Sequence, residues 1–166
     1  MRNQTRRMAT CAMMTALCVV LMWLGAILEL GMYVAPLFAG LCLIPIGQKY
    51  GSKYQLTVWV ASSLLSLMLV PNIEQNLLYI GLFGWYPVLR PRLQRLPKFL
   101  CLPAKLLIFN AVVIAIEALV ICLLVPEALT TWMIVLLLGF ANITFLAYDF
   151  LIPRMEILMG RIAKRM

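Results

Sequence analysis

The side chains able to do chemistry in this sequence are few and widely spaced. Six residues are acidic, and histidine is absent. Hydrolysis and redox chemistry need a nucleophile, a base or a set of metal ligands, and the sequence has no Ser/His/Asp set, no nucleotide-binding glycine motif and no metal cluster. The five cysteines lack CxxC spacing, so we expect them to pack as small apolar side chains. The sequence therefore predicts a protein that is not an enzyme and that holds no cofactor or metal.

Glu117 is an acidic residue deep inside an apolar run. It stands twelve residues after Lys105 and nine before Pro126. An ionisable group at the centre of a membrane helix costs about 2.5 to 3.5 kcal/mol on insertion scales, so such groups usually face other helices or a cavity. We expect Glu117 to face inward. It would either contact a substrate or proton, or form a protonated, hydrogen-bonded carboxyl group in a packed bundle.

Each of the last two apolar runs carries two polar side chains seven positions apart, which places both on one face of a helix: Asn110 and Glu117 in one, Asn142 and Asp149 in the other. In antiparallel neighbours, residues equally far from Lys105 and Arg154 lie level at about 1.5 Å per residue. A polar seam is therefore expected, with Asn110 near Asp149 and Glu117 near Asn142. A structural role is favoured for Asn110 and Asp149, since Lys105 or Arg154 could neutralise the carboxylate.

A stripe of polar and aromatic residues lies along one face of the fourth apolar run. Asn76, Tyr79 and Phe83 recur at helical spacing, and Glu74 and Gln75 stand at the outer end of the stripe. Such a stripe often serves ordinary packing, but polar tips and aromatic walls at this level would also suit an outward-opening pocket. The predicted substrate contacts are Glu74, Asn76, Tyr79, Glu117 and Asn142.

Two small residues four positions apart occur near the start of the first apolar run. Ala12 and Ala16 form an AxxxA pattern that would let another helix approach closely. That helix can belong to the same bundle or to a partner protein, and the pattern leaves both open.

Composition indicates the class of protein that positions these residues. The 166 residues are 64% hydrophobic and 12% charged, and the mean hydropathy is +1.00. Soluble domains are about 45 to 50% apolar and about 25% charged, so the sequence predicts an integral membrane protein surrounded by lipid. The net charge of +8 lies in short clusters between apolar runs and not on a continuous basic face. Nucleic acid is therefore not an expected partner.

The apolar runs predict an all-α bundle of six transmembrane helices that forms a single domain over residues 1–166. The predicted spans are residues 8–28, 32–46, 55–70, 76–89, 106–125 and 129–152. All fourteen Lys and Arg residues then fall on one side, five of them in the segment Arg90 to Lys105, which we interpret as a loop. Lys and Arg are retained in the cytoplasm during insertion, so both termini are expected inside.

This orientation also places the connections and their flanking residues. The connection Gln48 to Tyr54 is expected inside, and the acidic residues Glu29, Glu74 and Glu127 outside. Trp and Tyr favour the membrane interface, so the aromatic end of the fourth run is expected at the cytoplasmic headgroups. Its residues are Phe83, Trp85 and Tyr86.

The plan of the chain resembles that of the S-components of energy-coupling factor (ECF) transporters, small six-helix membrane proteins that capture a vitamin or metal outside the cell. The resemblance rests on length, six spans, inside termini and the AxxxA pattern at Ala12 and Ala16. The runs EQNLLYIGLFGWYP (Glu74 to Pro87) and NITFLAYD (Asn142 to Asp149) are also similar to bacterial membrane proteins related to S-components.

This resemblance implies a bacterial cell membrane location and a small-molecule substrate, a vitamin. It also implies partnership with a coupling membrane subunit and its ATPases. In the family, the small-residue pattern contacts that coupling subunit.

Three functions are open at this point. The leading hypothesis is an S-component that captures its substrate with the outer halves of spans four to six and the outer loops and then, as the resemblance implies, topples in the membrane. The alternative is a non-transporting scaffold similar to the small membrane subunit of the rod-shape cell-wall machinery, in which Glu117 and Asn142 join two helices. A self-sufficient transporter or channel with Glu117 as a proton site is less favoured, because the sequence has no clear inverted repeat.

Overall fold

The structure, a computed structural model, describes residues 2–28, 34–94, 98–123 and 131–165. The helices are α1 (Arg2–Ile27), α2 (Val34–Cys42), α3 (Ile44–Tyr50), α4 (Ser52–Leu69), α5 (Ile73–Leu78), α6 (Tyr86–Leu93), α7 (Lys98–Leu123) and α8 (Thr131–Arg165). A π-helical segment, Tyr79–Phe83, joins α5 to α6. These described residues contain no strand, so the all-α prediction is confirmed.

Each of the six apolar runs corresponds to one helix or to one interrupted helix. α2 and α3 fill the second run, while α5, the π-helical segment and α6 fill the fourth. The second run is interrupted at Leu43, because Pro45 follows at the start of α3. Proline has no N–H for the helix ladder but suits a first helical turn, so one helix ends and another begins there.

α3 and α4 are joined through Gly51 alone. Its φ of 93° lies in the left-handed region, which glycine adopts without strain. The connection predicted from Gln48 to Tyr54 is therefore almost entirely helical. The outer segments predicted around Glu29 and Glu127 lie outside the described residues.

The prediction that Arg90 to Lys105 forms a loop is wrong for most of its described residues. α6 continues to Leu93, and α7 begins at Lys98. Arg90 and Lys105 are each only 6% exposed, and both bind the carboxylate of Asp149. Because these cations have a carboxylate partner inside the protein, they do not need the solvent that a loop would provide.

Four parts of the chain belong to one end of the bundle, which we call the basic end. Tyr50 at the end of α3 bonds Thr10 on α1, at 3.4 Å between hydroxyl oxygens. Gln48 bonds Glu156 on α8. Together with the Asp149 contacts, these bonds bring the first three turns of α1, the α3–α4 turn, the end of α6 with the start of α7, and residues 149–156 of α8 to the same end.

Two helices are long and apolar enough to cross a membrane, judged by length and composition over the described residues. Gln4–Ile27 has a mean hydropathy of 2.1, and Leu100–Val120 has one of 2.0. Large apolar side chains on several helices are also exposed, among them Met13, Leu64, Leu107 and Ile143. Soluble monomers rarely expose large contiguous apolar patches. These features suggest membrane association.

The interior contains two apolar clusters. The first lies among α2, α5, α6, α7 and α8 and is built on aromatic rings: Phe83, Tyr86, Phe109, Phe145 and Tyr148. The second lies mainly among α1, α2, α3 and α4, and its members include Cys18, Met22, Leu43, Val58 and Tyr79.

The prediction that Phe83 and Tyr86 meet the headgroups is wrong. They are 4% and 2% exposed, respectively. Phe83 packs edge-on against Tyr148, and Tyr86 packs edge-on against Phe145. A large ring buries more apolar area inside the bundle than at an interface, and these pair geometries add to the stabilisation.

Candidate functional site

The polar groups of the second cluster surround Tyr79, the first residue of the π-helical segment. Tyr79 is fully buried, and its hydroxyl lies 2.7 Å from Ser62 Oγ on α4. Ser62 and Ser66 also donate to carbonyl groups three positions earlier in α4. Such bonds satisfy the hydroxyl inside an apolar helix. The hydroxyl of Tyr79, a predicted substrate contact, is therefore hydrogen-bonded inside the protein.

Gln75 and Asn76 carry amide groups into the interior at the start of α5. Gln75 Nε2 donates to the carbonyl of Met22 on α1 at 2.7 Å. Asn76 Nδ2 donates to the carbonyl of Val70, just after α4, at 3.0 Å. The two amide oxygens, Gln75 Oε1 and Asn76 Oδ1, are buried and find no hydrogen-bond donor among the described residues. Buried acceptors are normally satisfied, so these two could accept hydrogen bonds from a ligand or water.

Glu74 and Glu117 are half-buried carboxyl groups on two helices in contact, α5 and α7. Their charges are close enough to interact. Glu117 therefore lies toward α5 and Glu74. Its predicted neighbour, Asn142, is bonded elsewhere.

The polar seam between α7 and α8 exists, but its pairing differs from the prediction. Asn110 and Asn142 exchange two hydrogen bonds between their amide groups, of 3.0 and 2.9 Å. Asp149 is bonded to Lys105, with Nζ 2.8 Å from Oδ2. The predicted pairs of Asn110 with Asp149 and of Glu117 with Asn142 are therefore wrong.

The error in the pairing comes from the choice of Arg154 as the inner end of the last helix. α8 continues through Pro153 to Arg165, and the Arg154 guanidinium lies over the ring of Phe150, 4.4 Å from its centroid. In the structure Lys105 lies level with Asp149. The prediction places it level with Arg154, five residues farther along α8. This displacement moves α8 along α7 by more than one helical turn and sets Asn142 beside Asn110.

Asp149 is the centre of a charged cluster that joins three helices. Its Oδ1 accepts from Arg90 Nε at 3.0 Å and from the Tyr86 hydroxyl at 2.8 Å. The sequence suggests Lys105 as a partner but not Arg90 or Tyr86, because the predicted span ends before Arg90 and its aromatic end, with Tyr86, is expected at the headgroups. Tyr86 and Arg90 are four positions apart, the spacing of one helix face, and that spacing was the available signal.

Ala12 and Ala16 lie on the exposed face of α1. The opposite face, with Thr15, Cys18 and Met22, is buried against α2 and α4. The bundle itself therefore does not use the small-residue pattern. Of the two interpretations left open by the sequence, close packing within the bundle does not apply to the described structure.

The described contacts divide the predicted substrate residues among three places. Asn76 and Tyr79 contact residues of α4 or its end, Glu74 and Glu117 interact across α5 and α7, and Asn142 belongs to the α7–α8 seam. Together these groups supply amide, hydroxyl and carboxyl oxygens that can accept hydrogen bonds. Comparisons with protein-family models, with curated proteins and with solved structures found no match.

Proposed function

We propose that this chain is the substrate-capturing component of an ECF-type uptake transporter, a six-span bundle in the cytoplasmic membrane with both termini inside. The observation that carries the proposal is the exposure of Ala12 and Ala16 on α1. A helix that buries its other face and leaves small residues outside offers a surface to which another membrane helix can pack closely. In the resembled family, this surface meets the coupling subunit, which the ATPases drive.

Substrate capture is assigned to the end of the bundle opposite the basic end. Glu74 and Glu117 supply two carboxyl groups there, and the buried oxygens of Gln75 and Asn76 supply acceptors without protein donors among the described residues. The expected substrate is a vitamin, held by polar groups at fixed positions between apolar walls. Tyr79 and Asn142 would take part only if their present hydrogen bonds open.

The docking surface is tested by replacing Ala16 with Leu. The full chain, expressed with an ECF coupling subunit and its ATPases, should copurify with them, and Ala16→Leu should abolish copurification because its side chain prevents close helix approach. Ala147→Leu is the matched control, since Ala147 is an exposed alanine on α8. Equal retention by both variants would remove α1 as the docking surface.

Capture is tested separately by thermal unfolding of the detergent-purified chain with a panel of water-soluble vitamins. A ligand at 100 times its Kd raises the free energy of unfolding by about 2.7 kcal/mol, which is measurable. Glu117→Gln should remove the shift if the carboxylate contacts the substrate. An Asn142→Ala variant tests a second predicted contact in the same way.

The second candidate is a membrane scaffold without a substrate. It is favoured by the internal hydrogen bonds of Tyr79 and Asn142, which fit residues that hold helices together. A scaffold predicts no copurification with the ECF coupling subunit, together with no shift for any vitamin in the panel. The two experiments in combination therefore separate capture from scaffolding.

A further inference from the structure

A cavity of about 170 Å³ opens at the basic end, between the α3–α4 turn, α6 and α8. Its polar lining comes from Gln48, Ser52, Gln55 and Glu156, and its apolar lining from Ile44, Pro87, Val88 and Pro91. A water molecule occupies about 30 Å³ in the liquid, so the cavity has room for a small group of atoms. None of these residues belongs to the proposed substrate site or to the docking surface on α1.

The N-terminus of α4 lies at this cavity. An α-helix leaves its first N–H groups without partners inside the helix, and the capping residue here, Gly51, has no side chain to accept from them. Ser52, the first residue of α4, lines the cavity. These N–H groups and the helix dipole of an 18-residue helix favour an anion at this position.

Gln55 provides a second, independent indication of a ligand. The residue lines the cavity and is only 5% exposed, and its side-chain amide makes no hydrogen bond among the described residues. The amide lies directly against Gly47, where a β-carbon would overlap with Oε1. A buried amide is normally hydrogen-bonded, so this amide leaves a donor and an acceptor at the cavity for a polar group or water.

The charges around the cavity favour an anion over a cation. Lys49 and Lys53 flank Gly51 on either side and are exposed. The lining carboxylate of Glu156 lies 3.7 Å from Arg90 Nη1, so its negative charge is offset by a cation of the same end. A second contact holds this residue in place, because Gln48 Nε2 donates to its carbonyl oxygen.

We propose that this cavity binds a phosphate group, either in the headgroup of an anionic lipid or in a soluble phosphate compound. The N-terminal N–H groups of α4, the Ser52 hydroxyl and the Gln55 amide can donate to different oxygens of a tetrahedral anion. Lys49 and Lys53 attract it by charge. The remaining volume accommodates atoms attached to the phosphate.

The test measures thermal unfolding of the full chain in two settings. In nanodiscs, phosphatidylglycerol is compared with phosphatidylcholine. In a detergent without phosphate, inorganic phosphate is titrated against chloride at constant ionic strength. Stabilisation by phosphatidylglycerol alone would identify a lipid headgroup, and stabilisation by inorganic phosphate would identify a soluble phosphate. Absence of both shifts would overturn the proposal.

Two variants connect the shift to the cavity. Ser52→Asp places a carboxylate at the start of α4, where it favours the folded helix and repels phosphate, so its apparent affinity should fall by about tenfold or more. Gln55→Leu should weaken binding as well. Arg154→Gln is the control, because it removes one positive charge from α8 without lining the cavity. An equal loss in Arg154→Gln, or an undiminished shift in Ser52→Asp, would show that binding does not occur at this site.

Discussion

At the scale of single residues, loss of the Asp149 carboxylate should destabilise the protein more than loss of any other polar contact described above. Asp149→Asn would leave Arg90 and Lys105 nearly buried with no carboxylate between them. Breaking a buried ion pair on one side typically costs about 3 to 5 kcal/mol, and we expect a loss in this range. The measurement is thermal unfolding of the detergent-purified variant, followed by circular dichroism.

Glu156→Gln is the matched control for Asp149→Asn. Its carboxylate is 39% exposed and lies 3.7 Å from Arg90, so the free energy of unfolding should change by no more than about 1 kcal/mol. A second control combines Asp149→Asn with Lys105→Met, which removes one of the stranded cations and should recover part of the stability. Equal destabilisation by Asp149→Asn and Glu156→Gln would contradict the central role of Asp149.

The amide pair of Asn110 and Asn142 makes a second prediction at this scale. A double-mutant cycle with Ala at both positions should give a coupling free energy of about 0.6 kcal/mol, the average for interhelical hydrogen bonds in a membrane, and at most about 1.7 kcal/mol. The same cycle for Glu117 and Asn142 should give about zero, because those residues lie at different levels of the bundle. Coupling in the second pair and not in the first would restore the register predicted from the sequence.

At the scale of elements, α2 and the π-helical segment pack closely at Gly40. A β-carbon at Gly40 would lie 2.5 Å from the carbonyl oxygen of Phe83 and 2.6 Å from the Tyr148 hydroxyl. Gly40→Ala should therefore push the segments apart and destabilise the fold by about 1 to 3 kcal/mol. Gly139→Ala is the control, since nothing lies within 4 Å and alanine should stabilise α8 by about 0.5 to 1 kcal/mol. The comparison is made by thermal unfolding, and similar melting temperatures for both variants would contradict the close packing.

The apolar runs predict where helices occur, because a long apolar segment in a membrane satisfies its backbone hydrogen bonds by forming an α-helix. They do not predict where helices end at the basic end. Arg90 and Lys105 remain in helices because Asp149, distant in the sequence, neutralises them. The π-helical segment also escapes the sequence pattern, and there the Phe83 carbonyl accepts from Tyr148 at 3.0 Å. Both features depend on tertiary contacts that helical periodicity does not contain.

At the scale of the whole molecule, the sequence predicts which polar residues lie inside the bundle better than it predicts their arrangement. Asn76 and Tyr79 are buried, and Glu117 faces another helix, as residue type and position suggest. Asn142 lies apart from them, beside Asn110. The sequence-based register is wrong here because it takes Arg154 as the marker of depth. A marker outside the bundle carries no information on how two helices slide, whereas the contact of Asp149 with Lys105 fixes it.

The number of membrane crossings gives the last prediction. If only Gln4–Ile27 and Leu100–Val120 crossed the membrane, the turn at Gly51 would lie on the side opposite both termini. In the proposed six-span arrangement it lies on the same side as both termini, because the second run returns through α2 and α3. Lys53→Cys, in a chain whose native cysteines are alanine, should therefore resist a membrane-impermeant maleimide in intact cells and react after lysis. Pro71→Cys is the control, because it is exposed and lies outside in either arrangement. Labelling of both cysteines in intact cells would exclude six spans. Residues 34–94 would then lie outside the cell, and their positive charges at positions 49, 53, 90 and 92 would be an exception to the positive-inside rule.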